Sequence, residues 1–138
     1  MGKTVLPSCL EKRKLLYSSH LSAEALRHYG DIFFEHGMLE DSLDFYEKSG
    51  TTAGIKRIEE AARKEGDAWL LERVSKAKGE NIPREQWDEL GENALRKKKY
   101  LYALFAFRKS GNQQRLSALR ETTSGVKSQR ETFTQPKR

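Results

Sequence analysis

The chain contains one pattern of residues twice, at a constant offset of 61 positions. Residues 21–60 align with residues 82–121 without a gap, so that Gly30 falls on Gly91. The other identical pairs place Glu24, Leu43, Lys48, Ser49, Gly50 and Glu60 on Glu85, Leu104, Lys109, Ser110, Gly111 and Glu121. Conservative apolar pairs, such as Leu26 with Trp87, Tyr46 with Phe107 and Ile55 with Leu116, complete the buried stripe that a duplicated structural unit has to preserve. We therefore expect a block of 61 residues to be written twice.

The apolar residues inside each copy recur at the spacing of helices. Leu26, Tyr29 and Phe33 follow each other at intervals of three and four, which places them on one face of a helix. Strict alternation, the mark of a strand, is not found between such segments. The pattern predicts helices over about 7–17, 22–36, 39–49 and 52–65 in copy one, and over about 68–78, 83–97, 100–110 and 112–121 in copy two.

These segments predict an all-α fold, a short α-solenoid of stacked antiparallel helical hairpins built from the duplicated unit. Residues 1–121 are expected to form a single domain, with copy one over about 7–65 and copy two over about 68–121. Residues 122–138 have no repeating apolar face, and we expect them to form a flexible tail. The tail is basic because it carries Lys127, Arg130, Lys137 and Arg138.

Two segments, over about 21–54 and 82–115, resemble the tetratricopeptide-repeat (TPR) helical hairpin. The residues that carry the resemblance are Leu26, Tyr29, Gly30, Phe33, Gly37 and Tyr46 in copy one, and Trp87, Leu90, Gly91, Ala103 and Phe107 in copy two. Ser42 replaces the usual small Ala, Lys98 stands where the family often has Gly, and Gly54 and Arg115 stand where it has Pro. The offset of 61 exceeds the TPR period of about 34 residues, so the chain is TPR-like and not a standard tandem array.

The resemblance implies a binding site and a function. In TPR proteins the first helix of each hairpin lines a groove that takes up an extended or helical peptide. Its best-known form grips a terminal carboxylate with Lys and Asn, whereas Asp31, Asp88 and Glu92 occupy that surface here, so a basic or mixed-charge ligand is expected. By position, the groove would include Arg27, Asp31, Phe34 and Glu35 from copy one, and Asp88, Glu92, Leu95 and Arg96 from copy two. We therefore expect a cytoplasmic adaptor or scaffold that binds a segment of another protein.

Charge is distributed unevenly between the copies. Residues 21–60 hold nine Asp and Glu against four Lys and Arg, whereas residues 82–121 hold nine basic against five acidic residues. Because the two copies carry net charges of opposite sign, self-association of the chain is an alternative function.

The basic run Arg96 to Lys99 leaves three interpretations open. It is the solvated end of a helix, a surface for an acidic protein, or, together with the basic tail, a nucleic-acid-binding surface that uses Tyr100 and Tyr102 for stacking. Tyr100 also fits the buried stripe of its helix, so we expect it in the core.

No set of residues indicates catalysis, a metal or a cofactor. His20, His28 and His36 lack the spacing of metal ligands, and Cys9 is the single cysteine, with no readable histidine partner. Adjacent carboxylates such as Glu59 and Glu60 are expected to be solvated. Because no nucleophile, base and orienting group can be named together, we expect no enzymatic activity. No apolar stretch approaches the ~20 residues that span a bilayer, so no membrane partner is expected.

Most large aromatic residues are expected in the core. They are Phe33, Phe34, Phe45, Tyr46, Trp69, Trp87, Phe105 and Phe107. Phe34 and Phe45 lie off the strict stripes, so they either pack on intervening helices or form an exposed apolar patch used for binding.

Overall fold

The computed structural model describes residues 6–18 and 20–121, and these residues form eight helices and no strand. The predicted tail over residues 122–138 lies outside the described residues. The helices are α1 (Cys9–Tyr17), α2 (Ala23–Glu35), α3 (Leu39–Ser49), α4 (Thr52–Glu65), α5 (Ala68–Lys78), α6 (Arg84–Arg96), α7 (Tyr100–Ser110) and α8 (113–121). Every helix that the periodicity predicts is present, with ends within two residues of those predicted. The all-α class is confirmed.

Local side chains determine where several helices begin. Ser8 caps α1 by accepting a hydrogen bond from the Glu11 amide, while the Glu11 side chain accepts one from the Ser8 amide. Ser22 caps α2 in the same way, by accepting a hydrogen bond from the amide of Ala25 at 3.1 Å. These bonds satisfy amides that have no partner within the first turn of a helix, and so favour helix initiation there.

The described helices form two compact units. Unit 1 contains residues 6–62 and 69–81, and unit 2 contains residues 63–68 and 82–121. α2 packs against α3 in unit 1, and α6 packs against α7 in unit 2, so the predicted helical hairpins are confirmed. The single domain over residues 1–121 and the α-solenoid stay predictions.

In unit 1 the two helices of the hairpin meet at Gly30. A Cβ atom on Gly30 would lie 2.6 Å from the Tyr46 ring, so no larger residue fits without a shift. A Cβ atom on Gly54 of α4 would also lie 2.6 Å from this ring. Ser42 donates a hydrogen bond of 2.7 Å to the Gly30 carbonyl oxygen, and both Ser42 and Tyr46 are fully buried. The buried Tyr46 ring is therefore in contact with a glycine on each of two helices.

Unit 2 repeats the close approach with a different ring. A Cβ atom on Gly91 of α6 would lie 2.6 Å from the ring of Phe107 on α7. Ala103 and Phe107 are fully buried, and Leu116 and Leu119 of α8 belong to the same apolar cluster. A small residue and a bulky ring thus occupy corresponding places in both hairpins.

The turns of the two hairpins have the same backbone geometry at the offset that relates the sequences. Met38 and Lys99, the residues before α3 and α7, have φ and ψ of −93° and 76°, and −94° and 74°. Gly37 lies at φ 75° and Lys98 at φ 60°, which is the left-handed region that glycine favours. α2 and α6, like α3 and α7, begin and end 61 residues apart.

Phe45 lies in the core and not in an exposed patch, but its ring contacts are with α2 of its own hairpin, whereas the prediction named the intervening helices. Its ring is fully buried and stacks on Phe33, with centroids 5.4 Å apart and planes inclined by 15°. The ring centroid of Tyr29 lies 5.6 Å from that of Phe45, and all three rings belong to one apolar cluster. Phe34, by contrast, is half-buried.

Three residues depart from their predicted environments. Trp69 is 50 % exposed because it lies about 200° around α5 from the buried Leu71. Tyr100 is 39 % exposed and is the first residue of α7, at the end of the hairpin where α6 stops at Arg96. Glu59 is not solvated: it is 4 % exposed and pairs with Lys78 of α5 at 3.2 Å.

Replacing Lys98 by glycine is expected to stabilise the protein. A side chain in the left-handed region costs roughly 1–2 kcal/mol, so Lys98→Gly should raise the free energy of unfolding by about 1 kcal/mol. The matched change Gly37→Lys, where nothing lies within 4 Å of the added Cβ, should lower it by a similar amount. Urea unfolding followed by circular dichroism measures both. Equal stabilities of Lys98→Gly and the parent would show that the turn is not strained.

Candidate protein-binding face of the first helices

The predicted groove residues of copy one lie on one side of α2. Arg27 and Glu35 are exposed, while Asp31 and Phe34 are half-buried. Their spacing of three to four residues makes successive members neighbours on the helix surface. The structure brings Asp31 and Phe34 together through Arg57 of α4, a residue that the sequence analysis did not name.

Arg57 connects the carboxylate and the aromatic ring. Its Nη1 atom lies 3.5 Å from Asp31 Oδ1, and its guanidinium Cζ lies 4.0 Å from the Phe34 ring centroid. The same Nη1 donates a hydrogen bond of 3.4 Å to the Tyr46 hydroxyl, which in turn donates to Asp31 Oδ1. One carboxylate, one phenol and one guanidinium therefore join α2, α3 and α4 at the surface of unit 1.

The phenol is held in its protonated form. Burial and the hydrogen bond to Asp31 raise the pKa of Tyr46 to about 12, whereas the positive charge of Arg57 acts in the opposite direction. At neutral pH the hydroxyl is thus a permanent donor, which fixes the orientation of the Asp31 carboxylate.

An open depression of about 410 Å³ lies on the N-terminal half of α2 and its cap. It is lined by Ser22, Glu24, Ala25, Arg27, His28 and Asp31. Enclosed small-molecule sites are mostly apolar, whereas this lining is mainly polar and carries both signs of charge. The shape and polarity suit individual side chains of a larger ligand.

In unit 2 the predicted carboxylates also have partners. Arg115 of α8 binds Glu92 through two hydrogen bonds, from Nε at 2.7 Å and from Nη2 at 3.0 Å. Asn112 donates to Asp88 Oδ1 at 3.2 Å. Leu95 packs against the apolar cluster of unit 2, and Arg96 is exposed and donates to the Asn93 side chain.

Asp31 and Glu92, which correspond at the 61-residue offset, are each paired with an arginine from the helix that follows their hairpin, Arg57 of α4 and Arg115 of α8. All four side chains remain 35–48 % exposed, and exposed ion pairs contribute only about 0–1 kcal/mol to stability. The pairs therefore order the surface more than they hold the fold. A basic group that approached Asp31 or Glu92 would have to compete with Arg57 or Arg115.

The basic run between α6 and α7 surrounds one carboxylate. Lys97 and Lys99 lie 3.6 and 4.0 Å from Glu65 Oε1, and Lys99 also donates to the Glu65 carbonyl oxygen at 2.9 Å. Lys98 is exposed. One carboxylate against four basic side chains leaves this turn positively charged.

Arg57 and Arg115 each pair with a carboxylate of the predicted groove, and neither arginine was predicted to belong to it. Arg115 even stands at the position of the closing proline of the family.

Within residues 6–18 and 20–121, no three His, Cys, Asp or Glu side chains lie close enough together to hold a metal ion. None of the described helices is long and apolar enough to cross a membrane. Comparison with known proteins identifies no matching family model, no similar curated protein and no similar solved structure.

The stability that Tyr46 provides is expected to disappear at alkaline pH. Its pKa is about 12 in the folded protein and near 10 in the unfolded chain, so the contribution is complete below pH 10 and is lost as the pH rises towards 12. Tyr46→Phe lacks the hydroxyl and should be less stable at neutral pH by about 1 kcal/mol. The difference in unfolding free energy between the two proteins should shrink above pH 10. A difference that stays constant with pH would contradict the bond to Asp31.

Proposed function

We propose that this protein is a non-catalytic, TPR-like module that binds a segment of another protein on the first helices of its two hairpins. The observation that supports this function most directly is the Asp31–Arg57 pair lying against the Phe34 ring. Arginine and aromatic side chains are over-represented among the residues that dominate protein interfaces. A surface ordered before binding also loses less side-chain entropy when the ligand arrives.

The duplication is part of the proposal. Three observations support it: the gapless alignment at 61 residues, the shared bounds of the hairpin helices, and the same glycine-on-ring contact at Gly30 and Gly91. The backbone at Lys98 adds weight, because it keeps the left-handed conformation of Gly37 although the residue is no longer glycine. The TPR-like identity is likewise a proposal that rests on these residues.

The ligand on unit 1 would carry charges of both signs. Its basic side chains would approach Glu24 and Asp31 in the depression on α2, and its acidic side chains would approach Arg27 and Arg57. An apolar side chain beside the half-buried Phe34 would exclude water from these pairs and so strengthen them. On unit 2 the corresponding pairing groups are Glu92 and Arg115.

Selection from a random peptide library on the immobilised full chain tests this function. The selected peptides are expected to carry both acidic and basic residues and to shift the backbone amide resonances of α2 and α4. Arg57→Ala removes the guanidinium that joins Asp31 to Phe34, and it should weaken binding of the selected peptide about tenfold. Arg13→Ala on the exposed face of α1 makes the same change of charge elsewhere and should leave the affinity unaltered.

Two results would count against the function. Peptides that perturb no resonance on α2, α4, α6 or α8 would place binding elsewhere. Equal affinities of the parent and Arg57→Ala would show that the paired side chains take no part in binding on unit 1.

A further inference from the structure

α7 presents an apolar strip at positions where the corresponding helix α3 is acidic. The strip consists of Leu101, Leu104, Phe105 and Arg108, whose spacing of three to four residues places them along one side of the helix. Leu101 is 77 % exposed, and Leu104 and Phe105 are half-buried. At the offset of 61, Leu101, Phe105 and Arg108 correspond to Glu40, Asp44 and Glu47.

Within unit 1, basic side chains from two other helices cover the acidic side of α3. Lys12 of α1 lies 2.5 Å from Asp41 and 2.9 Å from Asp44, and Arg73 of α5 lies 2.8 Å from Asp44. Burial lowers the pKa of Lys12, but its hydrogen bonds to the two aspartates outweigh this effect and raise it overall. Asp41, Asp44 and Glu47 of α3 are thus matched by opposite charges from the same chain.

α7 has apolar or basic side chains at the positions where α3 has acidic ones. Tyr102 and Phe105 replace the two aspartates, and the strip is bordered by positive charge at both ends, from Lys97 and Lys98 before it and from Arg108 within its last turn. A surface of this composition is complementary to apolar side chains flanked by carboxylates.

We propose that the α7 strip is a second interaction surface, and that it takes an acidic amphipathic helix from another protein. An apolar side chain of that helix packs on Leu101, while carboxylates at its two ends pair with Lys98 and Arg108. The nine residues of α7 from Tyr100 to Arg108 span about 12 Å, so a partner helix of roughly three turns covers the strip and reaches Lys98. This proposal is independent of the first-helix face.

Other occupants fit the strip less well. Phe105, the aromatic member of the strip, is half-buried, packs edge-on against Trp87 with centroids 5.9 Å apart, and has Lys109 Nζ 5.6 Å from its centroid, so its face is partly covered against a stacking base. A helix that lies in a membrane surface needs a long apolar face. α7 buries Ala103, Ala106 and Phe107 in the protein, so the apolar face that it exposes is limited to the short strip. The C-terminal residues 122–138 carry a net positive charge and would be repelled by Lys97 and Lys98. In a second copy of the chain, Asp41, Asp44 and Glu47 of α3 are already paired with Lys12 and Arg73.

Binding of defined probes to the full chain tests the proposal. The probes are a labelled helical peptide with leucine on one face and glutamate on the other, and the same peptide with lysine in place of glutamate. Oligouridylate RNA and vesicles of phosphatidylcholine with phosphatidylserine represent the other occupants. The acidic peptide should bind, as measured by fluorescence anisotropy, and should shift the amide resonances of residues 97–108. Leu101→Glu should weaken this binding at least about tenfold, and the lysine peptide should not bind.

The variants include a control and a safeguard. Glu40→Ala alters the corresponding exposed position of α3 and should leave the affinity for the acidic peptide unchanged. Because Leu101 is 77 % exposed, Leu101→Glu should keep the thermal unfolding curve of the parent. If it does not, Arg108→Glu on the exposed end of the strip replaces it, with the same expected loss.

Four results would overturn the proposal. The acidic peptide does not bind, or it binds Leu101→Glu as tightly as the parent. RNA or vesicles bind, and Leu101→Glu abolishes that binding. Sedimentation shows a dimer that Leu101→Glu dissociates, which would make a second copy of the chain the occupant.

Discussion

The contact on which the rest of the structure depends is the close approach of two helices at a glycine that faces an aromatic ring. Gly30 lies against Tyr46 in one hairpin, and Gly91 lies against Phe107 in the other. A methyl group at either glycine would come within 2.6 Å of a ring carbon, so the spacing of the helices is set by the absence of a side chain. Because protein interiors are densely packed, such a spacing cannot change without moving the side chains around it.

In unit 1 this contact also connects the core to the surface. The Tyr46 ring is buried between helices, while its hydroxyl reaches Asp31 and Arg57 on the candidate face. Phe107 fills the corresponding place in unit 2 but has no hydroxyl, so it makes no bond like that from Tyr46 to Asp31. Glu92, which corresponds to Asp31, accepts two hydrogen bonds from Arg115. The two hairpins share a framework but present different chemistry: a tyrosine-anchored carboxylate on α2, and an apolar strip with basic ends on α7.

The helices could be predicted because the signals for them are local. Apolar spacing, Ser22 as a cap and the turn glycines act within a few residues of chain. The environments of Glu59 and Asp31, by contrast, depend on residues distant in sequence. Burial of Glu59 needs Lys78 beside it, and the pairing of Asp31 needs Arg57, 26 residues later. Helical periodicity puts Asp31 and Phe34 on one side of α2, but it carries no information about which side chain of α4 will contact them.

The unfolding free energy of Gly91→Ala, measured in urea beside that of Gly30→Ala, tests the central contact most directly. Helix propensity alone favours alanine over glycine inside a helix by roughly 0.5–1 kcal/mol. The close approach to Phe107 and Tyr46 predicts the opposite sign, a loss of about 1–3 kcal/mol in each variant as the ring is forced to move. Two variants that equal or exceed the parent in stability would contradict the account, because they would show that neither helix pair needs a glycine at its crossing.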